Sequence, residues 1–247
     1  MVGQAAINKL NKGSNQGLWV ALALIGIWIS STAILFSLDL ATVPSWVKFV
    51  GFAWQMFLYT GLFVTAHDGM HGSIAPSNPK LNDAIGQFVL FSYAMFPFAK
   101  MRQMHNLHHD IPARDGDPDY HNGKRANFFA WYFNFIQNYW SWLRLGLLIS
   151  TFHAVHQVLQ VPEINLTWFW VFPSVMSSFQ LFFFGTFLPH SEPENGYVNE
   201  CRSTSTPFSG FWSFISCYYF GYHEEHHDLP HLAWWQLPGA RKLRIGN

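Results

Sequence analysis

The sequence predicts an all-α integral membrane protein that carries a histidine-rich metal site. Half of its 247 residues are hydrophobic, 19% are aromatic and only 11% are charged, whereas about 25% of the residues of a typical soluble domain are charged. Eight of the thirteen histidines stand in three short clusters. The composition therefore indicates a chain that lies in the bilayer, and the clusters indicate metal binding.

Four stretches contain no Asp, Glu, Lys or Arg and are close to or above the roughly 18 to 20 apolar residues that cross a bilayer. We predict four transmembrane helices, at residues 18–38, 49–66, 145–162 and 164–189. Three further apolar stretches are shorter or more polar. We predict that they form interfacial or partly inserted helices, at residues 84–99, 126–143 and 207–222.

The three clusters can form one site only if they reach the same side of the membrane, and four spans bring them there. Lys9 and Lys12, with no acidic residue nearby, place the N-terminus in the cytoplasm by the positive-inside rule. We therefore expect a single membrane-bound domain over residues 1–247, with its metal site on the cytoplasmic face. A formal net charge of zero gives no reason to expect a nucleic-acid partner.

Each cluster has the spacing of a metal clamp. Residues three and four apart lie on one face of an α-helix, so the imidazoles of each cluster point to a common place. Neutral imidazole suits iron, zinc, copper and nickel, and eight such ligands exceed what one ion accepts. We therefore predict two metal ions, held by His67, His71, His105, His108, His109, His223, His226 and His227.

The five remaining histidines stand outside the clusters and receive different predictions. His190 follows the last predicted span on the cytoplasmic side, and we predict that it is a ninth metal ligand. His153 and His156 lie one turn apart within the third span, where we expect interhelical hydrogen bonds. We expect His121 and His231 to lie at the surface or behind the ligands.

Carboxylates near the clusters are candidate partners of the ligands, because a metal-bound imidazole usually donates its other N–H to a carboxylate or carbonyl. For each carboxylate, a solvated loop position is the alternative. The candidates are Asp68, Asp110, Asp117, Asp119, Glu224, Glu225 and Asp228. Among them we predict a catalytic role for Asp117, which stands in a Pro-containing turn next to the second cluster.

The clusters, spaced HxxxH, HxxHH and HxxHH among four spans, resemble those of the membrane-bound di-iron desaturase and hydroxylase superfamily. The flanking aromatic segments are more closely similar to the bacterial and cyanobacterial β-carotene ketolases over nearly the full length of the chain. These segments are residues 57–72, 117–120, 127–132, 184–190 and 220–227, followed by Pro230, Trp234 and Trp235.

The resemblance implies an enzyme that uses O2 and electrons from a reduced ferredoxin-type donor to place a keto group at C4 of a β-ionone ring. Two hydroxylations and a dehydration at that carbon would convert β-carotene into echinenone and then canthaxanthin, and zeaxanthin is a second candidate substrate. Such a substrate is dissolved in membrane lipid, and aromatic residues of 128–142 and 211–222 are candidates to line its approach, with core or lipid-facing positions as the alternative.

The resemblance also implies two Fe2+ ions with separate sets of ligands. One ion would take His67, His105, His109 and His227, and the other would take His71, His108, His190, His223 and His226. Thr186 stands where desaturases of the superfamily have an Asn that holds a metal-bound water.

The residues alone leave alternatives for both the metal and the reaction. Two irons suit the clusters because paired irons can activate O2, but the ligand type also allows manganese, copper or zinc. A fatty-acyl desaturase or a carotenoid 3-hydroxylase would use the same clusters, although desaturases commonly have a wider first cluster, HxxxxH. A membrane protein that binds or transports metal without catalysis is the alternative of another class, and it would carry ionisable residues through the depth of its spans.

Overall fold

The computed structural model describes residues 15–121, 123 and 126–245, and every regular element in this part of the chain is a helix. Lys9 and Lys12, on which the predicted orientation depends, lie outside the described residues. In chain order the helices are α1 Gln16–Phe36, α2 Ser45–Met70, α3 Pro79–Ala94, α4 Phe98–Asp110, α5 Phe128–Asn138, α6 Trp142–Leu159, α7 Glu163–His190, α8 Gly210–Cys217, α9 His223–Asp228 and α10 Leu237–Ile245, with a short 3-10 turn at Trp234–Gln236 before α10.

Three helices, α1, α2 and α7, are long and apolar enough to cross a membrane. They coincide with three of the four predicted spans. The remaining predicted span, residues 145–162, corresponds to α6, which contains Arg144 and is not among these three. A fourth crossing therefore stays a prediction. The stretches predicted as interfacial overlap with α3, α5 and α8, whose 16, 11 and 8 residues are fewer than a span needs.

Helix α2 is the centre of the bundle, and its C-terminal half is almost entirely buried. Helices α1, α3 and α7 pack against it. Small residues make the close contacts possible: a Cβ on Gly61 would lie 2.7 Å from the Tyr218 hydroxyl oxygen, and a Cβ on Gly51 would lie 2.9 Å from the Phe169 ring. This packing fixes the end of α2, where His67 and His71 stand.

Helix α7 contains two π-helical turns, at Thr167–Val171 and Phe183–Phe187. A proline inside a helix lacks an N–H, and its ring clashes with the carbonyl four residues earlier. Pro173 and Pro189 each stand just after one of these π-helical turns. The carbonyl four residues before each proline therefore belongs to a π turn, which is wider than an α-helical turn and relieves the clash. The second π turn lies directly before His190 and therefore sets the direction of that side chain.

Asn165 joins the start of α7 to the end of α1. Its side chain is fully buried, and Nδ2 donates to the carbonyl oxygens of Leu35, Phe36 and Leu38 at 3.1, 3.2 and 2.7 Å. These carbonyls belong to the last residues of α1 and to the loop after it. Carbonyls at a helix C-terminus have no N–H partner within the helix. One amide thus closes the end of α1.

We expect Asn165→Ala to lower the free energy of unfolding by about 1 to 3 kcal/mol, because it leaves buried carbonyls without a donor. Thermal unfolding in detergent micelles measures the change. Thr167→Ala is the matched control, since that hydroxyl bonds only to Glu163 within its own turn. Equal melting temperatures for the two variants would contradict the role given to Asn165.

Candidate metal centre

Nine histidine side chains converge at one end of the bundle, and four helices bring them there. The end of α2 carries the first cluster, α4 the second, α9 the third, and α7 ends at the ninth histidine. The potential ligand atoms form two groups, within each of which all atoms lie within 4.8 Å of one another. The first group is His67, His71, His105, His109 and His226, and the second is His108, His190, His223 and His227.

This grouping differs from the division that the family resemblance implied. His71 and His226 lie in the first group rather than the second, and His227 lies in the second rather than the first. The closest contacts of His226 and His227 agree with the exchange. His226 Nε2 lies 3.0 Å from His109 Nε2 of α4, whereas His227 Nε2 lies 3.1 Å from His223 Nε2 on its own helix. Clusters two and three therefore contribute ligands to both groups.

The nitrogens face one another in a way that suits a cation at the centre of each group. His71 Nε2 lies 2.8 Å from His105 Nε2, and His190 Nε2 lies 3.1 Å from His223 Nε2. A neutral imidazole has one N–H, so several converging nitrogens cannot all find a partner among themselves. Both ring nitrogens of His67 are buried without any hydrogen-bond partner. A metal ion in each group would bind these lone pairs.

Burial keeps most of these imidazoles in the neutral form that binds metal. Burial, together with a smaller effect of neighbouring imidazoles, lowers the pKa of His71 to about 4 and that of His109 to about 2. For the same reasons, four more histidines outside the spans have pKa values well below the ordinary value of histidine. These are His105, His223, His226 and His227. Proton competition for the lone pairs is therefore weak near neutral pH.

His108 is the exception, and the cause is a buried carboxylate. Burial lowers its pKa, but the hydrogen bond to Asp117 and the charges of Asp119 and Asp117 raise it above the ordinary value. His108 Nδ1 donates to both carboxylate oxygens of Asp117 at 3.0 Å. Asp117 also accepts from the backbone N–H groups of Ala113 and Asp119, each at 2.8 Å. These backbone contacts fix the position of the carboxylate. The carboxylate in turn orients His108 so that its Nε2 faces the second group.

Comparison with known proteins agrees with this geometry. Residues 44–162 and 122–244 match the sequence profile described as fatty acid desaturase. The chain belongs to the fatty acid desaturase family. The expectation drawn from the histidine spacing is thereby confirmed at the level of the family.

Its relatives within this desaturase family include proteins named for carotenoid chemistry. The chain is 38% identical over 226 residues to a beta-carotene ketolase of Paracoccus sp. (strain N81106 / MBIC 01143). The matched region covers 90% of this chain and 87% of that protein. It is 39% identical to a beta-carotene ketolase of Haematococcus lacustris over 76% of this chain and 60% of that protein. It is 34% identical to a zeaxanthin 4-ketolase of Chlamydomonas reinhardtii over 93% of this chain and 52% of that protein.

A cavity of about 340 Å³ adjoins the histidines of this desaturase-family chain. Four of the nine line it, two from each group: His67, His105, His108 and His223. Most of the wall is apolar or aromatic, and Trp140 and Val175 on that wall are each 44% exposed at the protein surface. The cavity therefore leads from an exposed apolar side of the bundle to both groups.

The residues that line this cavity were only partly foreseen. Of the segment 128–142, five residues take part: Tyr132, Phe135, Ile136, Tyr139 and Trp140. Of the segment 211–222, only Phe220 is among the lining residues. The contributions of α3 and α7, such as Tyr93 and Val175, were missed. They carry no local motif and reach the cavity through tertiary packing.

The other predicted carboxylates lie at varying distances from the ligands. Asp68 is buried, lies 3.7 Å from His67 Nδ1 and accepts from the Trp234 N–H. Glu225 is buried and accepts from Arg241 Nη1 at 3.0 Å. Asp119 accepts from the Tyr139 hydroxyl. Glu224 and Asp228 pair with Arg244, and Asp110 is exposed.

The histidines outside the two groups depart from some expectations. His156 Nδ1 donates to the Val161 carbonyl at 2.8 Å, a bond at the end of its own helix rather than between helices. His153 is exposed and contacts Phe152. His121 is buried against Trp131, because the loop after Asp119 folds onto α5, and His231 is exposed.

We expect His226→Ala to reduce the metal content of the purified chain by about one ion, because the first group loses a ligand from another helix. Elemental analysis of protein purified from membranes measures the change. His153→Ala is the control, since that imidazole is exposed and lies outside both groups. A metal content equal to that of the unaltered chain would exclude His226 as a ligand.

We expect Asp117→Asn to weaken metal binding by about 10- to 100-fold, the usual cost of losing a carboxylate behind a ligand histidine. An amide oxygen still accepts one hydrogen bond but lacks the charge that orients His108. Competition with a chelator measures the affinity. Asp115→Asn, at an exposed position of the same loop, is the control, and equal affinities in the two variants would contradict the role of Asp117.

Proposed function

We propose that this chain is an O2-dependent di-iron oxygenase that introduces a keto group at C4 of β-ionone rings. The observation that carries the proposal is an apolar cavity that ends on both histidine groups. Its volume lies within the range of small-molecule sites, about 300 to 1,000 Å³. Relatives that match nearly the whole chain and are named β-carotene ketolase support the choice of reaction.

The proposed reaction oxidises one ring carbon twice. In each hydroxylation, a ring C–H becomes C–OH, one atom of O2 enters the product, and the other leaves as water with two electrons and two protons from solvent and the donor. The second hydroxylation gives a carbon with two hydroxyl groups. Loss of water from this carbon leaves the ketone, so each ring consumes two molecules of O2 and four electrons.

Nine histidines supply a donor set that fits two iron ions, five in the first group and four in the second. Bound iron would supply the activation of O2, which protein side chains cannot perform. The chain's own residues hold the ions and shape the cavity. Asp117 holds His108 by its Nδ1–H, and the Arg202 carbonyl holds His190 in the same way at 2.8 Å.

The substrate we propose is β-carotene, which yields the mono-ketone echinenone and then the diketone canthaxanthin. The apolar wall of the cavity suits a ring that carries only carbon and hydrogen. We include zeaxanthin as a second substrate, because one relative is named a zeaxanthin 4-ketolase. The hydrogen-bonded hydroxyls of Tyr132 and Ser178, which lie on the cavity wall, offer a polar contact for its ring hydroxyl.

We further propose four spans, with the metal centre on the cytoplasmic side. Lys100 and Arg102 stand within α4, and Arg241, Lys242 and Arg244 stand within α10, near the second and third clusters. Positive charge near the ends of spans favours the cytoplasmic side. Electrons would come from a soluble donor of the reduced ferredoxin type, and the surrounding lipid would deliver the carotenoid.

The test is the pigment profile of a β-carotene-accumulating bacterial host that expresses the chain, read by chromatography and mass spectrometry. We expect products that gain one oxygen and lose two hydrogens per modified ring, with the absorbance shift of a conjugated ketone. A gain of one oxygen without that shift would indicate a hydroxylase. Unchanged β-carotene with altered acyl lipids would favour a desaturase, and bound metal without any oxidised product would favour a metal-binding protein.

A further inference from the structure

Phe220 stands where the cavity meets both histidine groups. Its ring packs edge-on against His67 of the first group, with centroids 4.8 Å apart, and against His223 of the second, with centroids 5.7 Å apart. All three side chains line the cavity. Phe220 is therefore an apolar surface beside the place where a substrate carbon must approach both groups.

Gly185 allows Phe220 to take this position. A Cβ on Gly185 would lie 2.2 Å from Phe220 Cε1 and 2.5 Å from Cδ1, closer than real Cβ contacts allow. Gly185 belongs to the second π turn of α7, and it lines the same cavity. The ring of Phe220 is thus held between the backbone of α7 on one side and His67 on the other.

The ring carbons C3 and C4 of a β-ionone ring are neighbours, one bond length apart, and both are saturated. Which of them meets the metal ions depends on how deeply the ring enters and how it is turned. Most of the cavity wall is apolar, with Phe63, Phe182 and Phe220 among its residues, and a β-carotene ring has no polar group, so shape rather than hydrogen bonding must set the position. In a hydrophobic pocket, one extra or missing methylene changes discrimination between substrates by about 10- to 200-fold, and a shortened wall residue is a change of comparable size.

We propose that Phe220, held in place by Gly185, sets how the ring is turned beside the two histidine groups and thereby directs oxidation to C4 rather than C3. The inference rests on the proposed ketolase function and adds the residue that determines its regiochemistry. Phe220 acts by touching the substrate ring. A shorter side chain at this position lets the ring tilt, so that C3 reaches the position that C4 occupies in the unaltered chain.

The first test is Phe220→Leu in the β-carotene-accumulating host, with iron per chain measured on the purified protein. We expect the ratio of 3-hydroxylated to 4-keto products to rise about tenfold or more, as expected for a change in an apolar wall, with iron content preserved. Phe214→Leu is the matched control. Phe214 packs on Tyr218 and Trp234 and is not among the residues that line the cavity, so we expect its product ratio to equal that of the unaltered chain.

The second test couples the two residues. Gly185→Ala places a methyl group where the Phe220 ring lies and displaces this part of the cavity wall, so we expect weaker binding of β-carotene, measured without O2 from the absorbance of the bound pigment. The double variant Gly185→Ala with Phe220→Leu frees the space that the methyl group takes, and we expect it to recover binding. Failure of the double variant to recover binding would overturn the link between Gly185 and Phe220.

Three outcomes of the first test would overturn the role of Phe220. They are an unchanged product ratio in Phe220→Leu, an equal shift in Phe214→Leu, and a loss of iron with an unchanged ratio, which would assign Phe220 to support of the histidines. The unaltered chain in the same host separates this inference from the proposed function. Absence of 4-keto product there would overturn the function itself, whereas its presence with unshifted variants would overturn only the role of Phe220.

Discussion

The structure depends on the convergence of nine imidazoles at a place from which water is largely excluded. Each buried polar group without a partner costs about 1 to 3 kcal/mol, and His67 has both ring nitrogens in that condition. Metal ions held by the two groups would turn this cost into binding energy, and metal binding would then be linked to the folding of this end of the bundle. The linkage matters most for α9, whose six residues are too few for a stable isolated helix.

Groups behind the ligands determine where the imidazoles point. Asp117 and the Arg202 carbonyl each take the Nδ1–H of a second-group histidine and leave Nε2 for the metal. On the far side of α9, Glu225 pairs with Arg241 of α10, whose other nitrogen donates to the Thr206 carbonyl. The third cluster is therefore held from two directions, by the metal centre and by the C-terminal helix.

The sequence was sufficient to predict which histidines converge, but not how the nine residues are distributed between the two groups. Spacings of three and four residues place side chains on one helix face, and the nine predicted residues do converge. The division into two groups depends on how α4 and α9 approach each other, as in the contact between His109 and His226. The contact between Gly185 and Phe220 was equally invisible, because it joins residues 35 positions apart through tertiary packing.

Helix α7 connects the exposed apolar side of the bundle to the histidine groups. Val175 and Thr186 both line the cavity, and Val175 is exposed on the outside of the bundle. At 1.5 Å per residue, the two positions are about 16 Å apart along the helix, comparable with half of the roughly 30 Å hydrocarbon thickness of a bilayer. Helix α7 is long and apolar enough to cross a membrane and ends at His190 beside the second group, so the exposed side of the cavity lies near the middle of such a helix. On the proposed function, an apolar ring would pass from lipid to the histidine groups without crossing water, which would explain why one helix both lies in the bilayer and carries His190.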